Sequence, residues 1–307
     1  MFLFKIDKRL QPIKEQKIEL EKYTQKLTEE NLENIFGLEF VETEFALQSF
    51  RIDTLAFDKE DNSFVIIEYK RDRSFSVVDQ GYSYLSLLLK NKASFVLKYN
   101  NKFKKNFEEK DIDWSQSRVI FIANSFTSYQ KNAINFKDLP IELWEFSKYD
   151  DGLVSYNPII AVNAVESIKT ITKNNTEISK VATEVKQYSI EDHFKESWNN
   201  SRELFNELRG RILEIDNRIE EKPNKGYIGY KISTSNLVCV YIQKIGLRLE
   251  LIRVDIEDLK DPEHKLKKIN YKERGWGKMC VYSILVNEDI DYALFLIKQI
   301  YNKFYNK

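Results

Sequence analysis

The most informative hydrophobic patterning lies in residues 50–89, FRIDTLAFDKEDNSFVIIEYKRDRSFSVVDQGYSYLSLLL. Ile52, Leu55 and Phe57 make a short apolar run that stops at Asp58. DKEDN follows as a cluster of charged and small polar residues, a turn signal. Residues 64–67 are then apolar without interruption, the pattern of a strand buried on both faces. Strand, turn, strand is the expectation. In residues 74–90 the apolar positions Val77, Val78, Tyr82, Leu85 and Leu89 recur at helical spacing. Upstream, Ile18, Tyr23, Leu27, Leu32 and Ile35 or Phe36 recur at three- to five-residue steps, which predicts a helix over 12–36 stopped by Gly37. Residues 40–50 read as a strand. Downstream, 93–99, 118–123 and 141–146 read as strands and 129–136 as a short helix. A helix, antiparallel strands, a second helix and then buried parallel-type strands predict an α/β/α sandwich with a mixed sheet over residues 1–160.

The character changes after that. SIKTITKNNTEISKVATEVK is rich in Ser, Thr, Lys and Asn and has no large aromatic, so residues 161–188 read as a linker. Ser189 is placed to cap a helix running to about residue 219, with Glu191 and Asp192 in its first turn. GYIGYKIS, NLVCVYIQK and GLRLELIRV then form three strands of a β-meander. A further apolar run precedes a helix over 289–304. Residues 189–307 are expected to be a smaller α+β domain.

Composition narrows the classes. The chain has 307 residues, 42% apolar and 31% charged, which suits a globular protein of one or two domains. Lys+Arg and Asp+Glu are both 48, so any nucleic-acid site must be a local patch and not a global charge. No apolar run approaches the ~18 residues of a membrane span, and the N-terminus lacks a signal-peptide pattern. The expectation is a cytoplasmic protein with no membrane partner. Cys239 and Cys280 lie in apolar, strand-like runs and read as buried, reduced thiols. His193 and His264 are far apart and have no cysteine neighbours, which leaves almost nothing for zinc or a His-based triad.

Three residues in the buried hairpin are out of place. Asp53, Glu68 and Lys70 sit among apolar positions, and a desolvated carboxylate is costly without a partner. The hairpin brings Asp53 and Glu68 together. Strand alternation puts Glu68 and Lys70 on one face and Tyr69 on the other. Two hard oxygen donors of this kind suit Mg²⁺, which keeps several waters. Such an ion, with a lysine beside it, supports in-line attack of water on phosphorus.

Asp53 followed by Glu68-Tyr69-Lys70 resembles the signature of the PD-(D/E)XK nuclease superfamily. Gln80 and Tyr84, in QGYSY, resemble the Gln-x-x-x-Tyr motif of its RecB-like branch. The wider stretch RIDTLAFD…VIIEYKR…DQGYSYL resembles uncharacterised bacterial proteins that join such a domain to a C-terminal domain often labelled "predicted transport protein". Ile52 stands where the proline of the superfamily's name would be, a position that is loose in the superfamily. Other Glu-x-Lys triplets, at Glu15, Glu108, Glu184 and Glu263, lack this context. The resemblance implies a restriction-endonuclease-like fold and a Mg²⁺- or Mn²⁺-dependent deoxyribonuclease. Asp53 and Glu68 would bind the metal, with the Tyr69 carbonyl as a further ligand. Lys70 would position or deprotonate the water, and Gln80 and Tyr84 would orient Lys70 or the DNA. An acidic residue on the first helix often completes such a site; Glu33 is the choice and Glu29, four residues earlier on the same face, the fallback. RNA is not excluded as substrate.

In the C-terminal domain Lys231, Lys244, Arg248 and Arg253 alternate with Tyr227, Tyr230 and Tyr241. Basic residues with interleaved aromatics can grip a phosphate backbone and stack bases, although an ordinary polar sheet face has the same composition. The domain reads as a binding or oligomerisation module, a homodimer included. The rival to the nuclease is a non-catalytic nucleic-acid-binding or protein-interaction module on a nuclease fold.

Overall fold

The computed structural model describes residues 3–17, 21–48, 50–70, 76–136, 139–160, 181–185, 188–268 and 278–306. The chain divides into two compact units, Met1–Gln187 and Tyr188–Lys307.

The first unit begins with a hairpin of β1 (Leu3–Ile6) and β2 (Leu10–Ile13), then β3 (Glu15–Gln16). Helices α1 (Glu21–Glu30) and α2 (Leu32–Phe36) lead into β4 (Glu39–Leu47), β5 (Phe50–Asp58) and β6 (Ser63–Lys70). Next come α3 (Val77–Lys90), α4 (Lys92–Phe103), β7 (Arg118–Ala123), α5 (Ser128–Ala133), β8 (Ile141–Tyr149) and β9 (Val154–Pro158). Seven strands form one mixed sheet in the order β3-β8-β7-β6-β5-β4, with β9 also on β8. β4, β5 and β6 are antiparallel neighbours, whereas β6, β7 and β8 run parallel.

Each face of the sheet carries its own core. On one, Leu55, Phe57, Phe64 and Ile66 pack with Val77, Leu85 and Leu88 of α3 and Phe95 and Tyr99 of α4. On the other, Ala56, Val65, Ile67 and Tyr69 pack with Leu32, with Leu27 and Phe36 against them. This is the expected α/β/α sandwich, and the uninterrupted apolar run in β6 is explained by burial on both sides.

Gly81 sets how closely α3 approaches the sheet. A Cβ there would lie 2.4 Å from Ile141 Cδ1. The Ser76 hydroxyl caps α3 by accepting from the Asp79 N–H. Of the helix expected over 74–90, residues 74–75 lie outside the described residues.

Two expected elements differ. Residues 12–36 are not one helix: Pro12 sits in the β1–β2 hairpin, and the helical part breaks at Asn31, whose φ of −129° is not helical. Residues 93–99 belong to α4 and not to a strand. Phe95, Val96 and Tyr99 are buried while Leu97 is 60% exposed, a helical burial pattern that a short apolar run does not reveal.

Residues 161–180 and 186–187 of the expected linker lie outside the described residues. Of the rest, 181–184 are helical, and Val181, Ala182 and Val185 are buried in the core that holds α3 and α4.

The second unit is α+β. Ser189 caps a short 3₁₀ turn, Ile190–His193, and the helix proper is Asn199–Leu213, shorter than expected. An antiparallel sheet follows: β10 (Ile219–Pro223), β11 (Ile228–Ile232), β12 (Ser235–Ile242), β13 (Leu247–Ile252), β14 (Lys267–Lys268) and β15 (Met279–Ile284), in the order β10-β11-β12-β13-β15-β14. β11 to β13 are the expected meander, and the helix Asp289–Phe304 closes the unit. Cys239 and Cys280 are both buried. Among the described residues, no helix is long and apolar enough to cross a membrane.

Candidate active site

The pairing of β5 with β6 ends at Thr54 and Ile67. Where the ladder stops, two side chains replace it. The Asp53 N–H donates to Glu68 Oε1 at 3.2 Å, and the Tyr69 N–H donates to Asp53 Oδ2 at 3.0 Å. Each carboxylate thus reaches across to the other strand's backbone, and the two carboxyl groups are close enough to hydrogen-bond each other. Glu68 is 2% exposed; Asp53 is half-buried. Two residues on along β6, Lys70 returns to the same face and places Nζ 3.3 Å from Glu68 Oε2. Tyr69 points the other way, into the opposite core, with its hydroxyl 3.4 Å from Thr54 Oγ1.

Helix α3 supplies the roof. Gln80 and Tyr84 are one turn apart, and Gln80 Nε2 donates to the Tyr84 hydroxyl at 3.4 Å. That hydroxyl hydrogen-bonds the Glu68 carboxyl, so the chain runs Gln80 to Tyr84 to Glu68. Burial and the adjacent Glu68 charge raise the Tyr84 phenol above its ordinary value, which keeps it a donor. Tyr84 therefore reaches Glu68, with Gln80 behind it.

Two carboxyls with one ammonium between them lack cationic charge. Burial, and then the nearby Asp53, push Glu68 up to about 7, against which the Lys70 charge, the Asp53 N–H and the Tyr84 hydroxyl pull down. Burial also raises Asp53, opposed by the Tyr69 N–H and Lys70. Because the folded state holds the Glu68 proton more tightly than the unfolded chain, this group's contribution is fully present below about 4.5 and lost as pH rises through about 7. The loss is at most about 3 kcal/mol. Glu68→Gln cannot ionise, so urea unfolding in EDTA should show it gaining on wild type between pH 5.5 and pH 8. An unchanged difference between the two proteins would remove the ionisable strain from Glu68.

The acids of the first helices are placed differently from the expectation. Glu33 is not brought to the pair: its side chain is 81% exposed and reaches Lys59 at 4.0 Å, past the far end of β5. The break at Asn31 separates its helix from that of Glu29, so the four-residue spacing does not give a shared face. Glu29 lies closer, but its Oε1 accepts from Thr54 Oγ1 at 2.6 Å and from Gln25 Nε2 at 3.1 Å, on the side where α1 packs. Among the described residues, no group of three or more His, Cys, Asp or Glu side chains is gathered to hold a metal. The donor set that the hairpin gathers is two carboxylates. Its hard oxygens and its charge deficit fit Mg²⁺ or Mn²⁺, ions that take one or two carboxylates and keep waters.

Sequence reasoning missed Gln25. Its buried amide donates to the Asp53 carbonyl at 2.9 Å and to Thr43 Oγ1 at 3.2 Å, so it ties α1 to β4 and β5 next to the site. Its only trace in the sequence is a polar residue one turn before Glu29. Gln25→Leu leaves the Asp53 carbonyl and Glu29 without this donor and should cost about 1–3 kcal/mol in chemical denaturation. A cost near zero would show that the amide does not hold β5.

In the second unit the basic residues are not an open stripe. Arg248 donates to the buried Glu250 at 2.8 Å and lies over the Tyr241 ring. Arg253 donates to the Asn236 carbonyl at 3.0 Å and lies over Phe304. Lys231 is half-buried on β11, and Lys244 is exposed in the β12–β13 turn. Tyr230 is fully buried, its hydroxyl donating to Glu221 at 2.9 Å, and Tyr227 is buried as well. The alternation on the strands put Tyr230 into the core, where it has no face for a base.

Residues 190–303 match the family model described as "Domain of unknown function (DUF5655)". A Haemophilus influenzae (strain KW20 / Rd) protein, described as "Uncharacterized protein", is 39% identical over 293 residues, covering 95% of this chain and 96% of that one. A repair endonuclease from Pyrococcus abyssi is similar in structure at a TM-score of 0.25 and 20% identity, over 43% of this chain and 49% of that one. EndoMS in its complex with double-stranded DNA gives a TM-score of 0.25 and 24% identity, over 37% of this chain and 40% of that one. The matched part thus spans about half, or less, of each of these two structures.

Proposed function

We propose that this chain, which belongs to the same family as the Haemophilus influenzae protein, is a metal-dependent nuclease that hydrolyses DNA phosphodiester bonds. The observation that carries the reading is the cluster at the open end of the β5–β6 ladder: Asp53 and Glu68 in mutual contact, Lys70 on Glu68, and Tyr84 closing over it. Asp53, Glu68 and the Tyr69 carbonyl are the groups that would hold Mg²⁺ or Mn²⁺. When bound, a divalent ion supplies a more acidic water and neutralises charge on the phosphate oxygens.

The chain's own residues do the rest. The Tyr69 N–H fixes the Asp53 carboxylate, and the Asp53 N–H and Tyr84 hydroxyl fix that of Glu68. Both carboxylates are therefore preorganised, which is where such a site gains its rate. Lys70, partly exposed beside Glu68, would take the proton of the attacking water in its neutral form or, as the ammonium, offset charge building on phosphorus. Gln80 orients Tyr84 and does not ionise, so its removal should be milder than loss of a carboxylate. The DUF5655-matching unit serves as a binding or oligomerisation module.

The test is incubation of purified full-length protein with plasmid, single-stranded DNA and RNA in Mg²⁺, Mn²⁺, Ca²⁺ and EDTA. Cleavage in Mg²⁺ or Mn²⁺ that stops in EDTA supports the reading. Binding of DNA without cleavage of any substrate in any metal replaces it with a non-catalytic binding module.

A further inference from the structure

Phe50 opens β5, three residues before Asp53, a separation of about 10 Å along an extended strand. It is 39% exposed and belongs to neither hydrophobic core of the first unit. Its ring meets the Tyr84 ring edge to face, at a centroid distance of 6.4 Å and an angle of 65°. Tyr84 is the residue whose hydroxyl reaches Glu68. One end of Tyr84 thus touches the carboxylate pair and its ring supports Phe50, which leaves an apolar ring standing at the mouth of the site. The side chains next to it are polar and engaged with each other: Arg51 pairs with Glu44, and Gln48 donates to Asn91.

We infer that Phe50 stacks on an unpaired base beside the scissile phosphate, so that the substrate presented to this site is single-stranded DNA. This rests on the nuclease reading above. A solitary exposed apolar side chain is ordinary on a protein surface; the location singles this one out. It lies within one side chain of two carboxylates, and a helix residue that also orients the catalytic group braces its ring. A base inside a duplex has both faces covered by its neighbours and has none to offer. A base in a single strand, a flap or a frayed end does, and aromatic stacking accepts any base because each has a π-face. Tyr84 is not itself the platform, since it is buried and its hydroxyl is committed to Glu68.

The test compares full-length wild type, Phe50→Ala and Phe50→Trp on a single-stranded oligonucleotide, on its blunt duplex, and on a set of single strands carrying one abasic position each. In Mg²⁺, Phe50→Ala should lower kcat/KM on the intact single strand by about 5- to 150-fold, the usual worth of one stacked base. Phe50→Trp should retain the activity, and the duplex should show no difference between variants. When the abasic position coincides with the stacked base, wild type should fall to the Phe50→Ala value and the two should become equal, which a merely structural role for the ring would not produce. Equal cleavage of the single strand by wild type and Phe50→Ala overturns the inference, as does a Phe50→Ala defect that persists at every abasic position. Anisotropy of a labelled single strand in Ca²⁺ reads the stacking without cleavage. A binding loss of the same size with no cutting in any metal would keep Phe50 as a stacking residue and remove the nuclease.

Discussion

Glu68→Ala is expected to abolish cleavage, with a loss beyond the ~10²–10⁴-fold typical of a missing general acid or base. Its carboxylate accepts from the Asp53 N–H, from Lys70 Nζ and from Tyr84, and among the described residues no group of three or more acids, histidines or cysteines is gathered to hold a metal. On the proposed reading, removing it takes away a metal ligand, and with it both the acidified water and the charge clamp on phosphate. It also takes the carboxylate away from the partly exposed Lys70 ammonium, so a folding defect would add to the loss. Glu68→Gln separates the two: it keeps the shape, is expected to be as folded as wild type or more so above pH 7, and should be as inactive. Mn²⁺ titration followed by electron paramagnetic resonance gives a second readout, in which both variants should bind far more weakly than wild type. If wild type and Glu68→Ala cut equally, the activity belongs to a contaminant. If Glu68→Gln binds Mn²⁺ as tightly as wild type, Glu68 is not a ligand.

The parts of this site that strand and helix periodicity control were legible in the sequence. Period-two alternation puts Glu68 and Lys70 on one face and Tyr69 on the other, and a four-residue step puts Gln80 beside Tyr84; both hold. The layered sandwich was legible for the same reason, since β6 is apolar at every position from 64 to 67 and β7 nearly so. What was hidden depends on where one element meets another. The β5–β6 ladder opens beyond the Thr54–Ile67 pair, at Asp53 and Glu68, and only that opening lets each carboxylate bond the opposite backbone. Nothing in the local pattern marks Asn31 as a break, yet the break turns Glu33 toward Lys59 and away from Asp53. Residues 93–99 fit strand and helix equally well as an apolar run; tertiary packing decides for the helix by exposing Leu97 and burying Tyr99. Gln25 acts through the Asp53 carbonyl, a main-chain contact that leaves no signature in side-chain chemistry. Phe50 looked like one more strand apolar, and its significance comes only from Tyr84 behind it.

Lys70→Ala should lower kcat by ~10²–10⁴-fold and move the acid limb of the pH–rate profile upward. The Lys70 charge pulls both carboxyls toward their ionised forms, opposing the burial that raises them. Without that charge, Asp53 and Glu68 hold their protons to higher pH. A divalent ion competes with those protons for the same oxygens, so its affinity at a given pH falls and recovers only as pH rises. In wild type the limb should already lie near neutrality, because Glu68 without a cation sits at about 7. Two effects are therefore superimposed in Lys70→Ala, and saturating Mn²⁺ separates them: it should restore the position of the limb and leave the rate defect. Lys70→Arg keeps the charge but not the compact ammonium, and its guanidinium does not deprotonate in this range. It should show the wild-type limb with a reduced rate if Lys70 transfers the proton, and a nearly wild-type rate if Lys70 only offsets charge on phosphorus. A Lys70→Ala profile that overlays wild type in both height and position would take Lys70 out of the site.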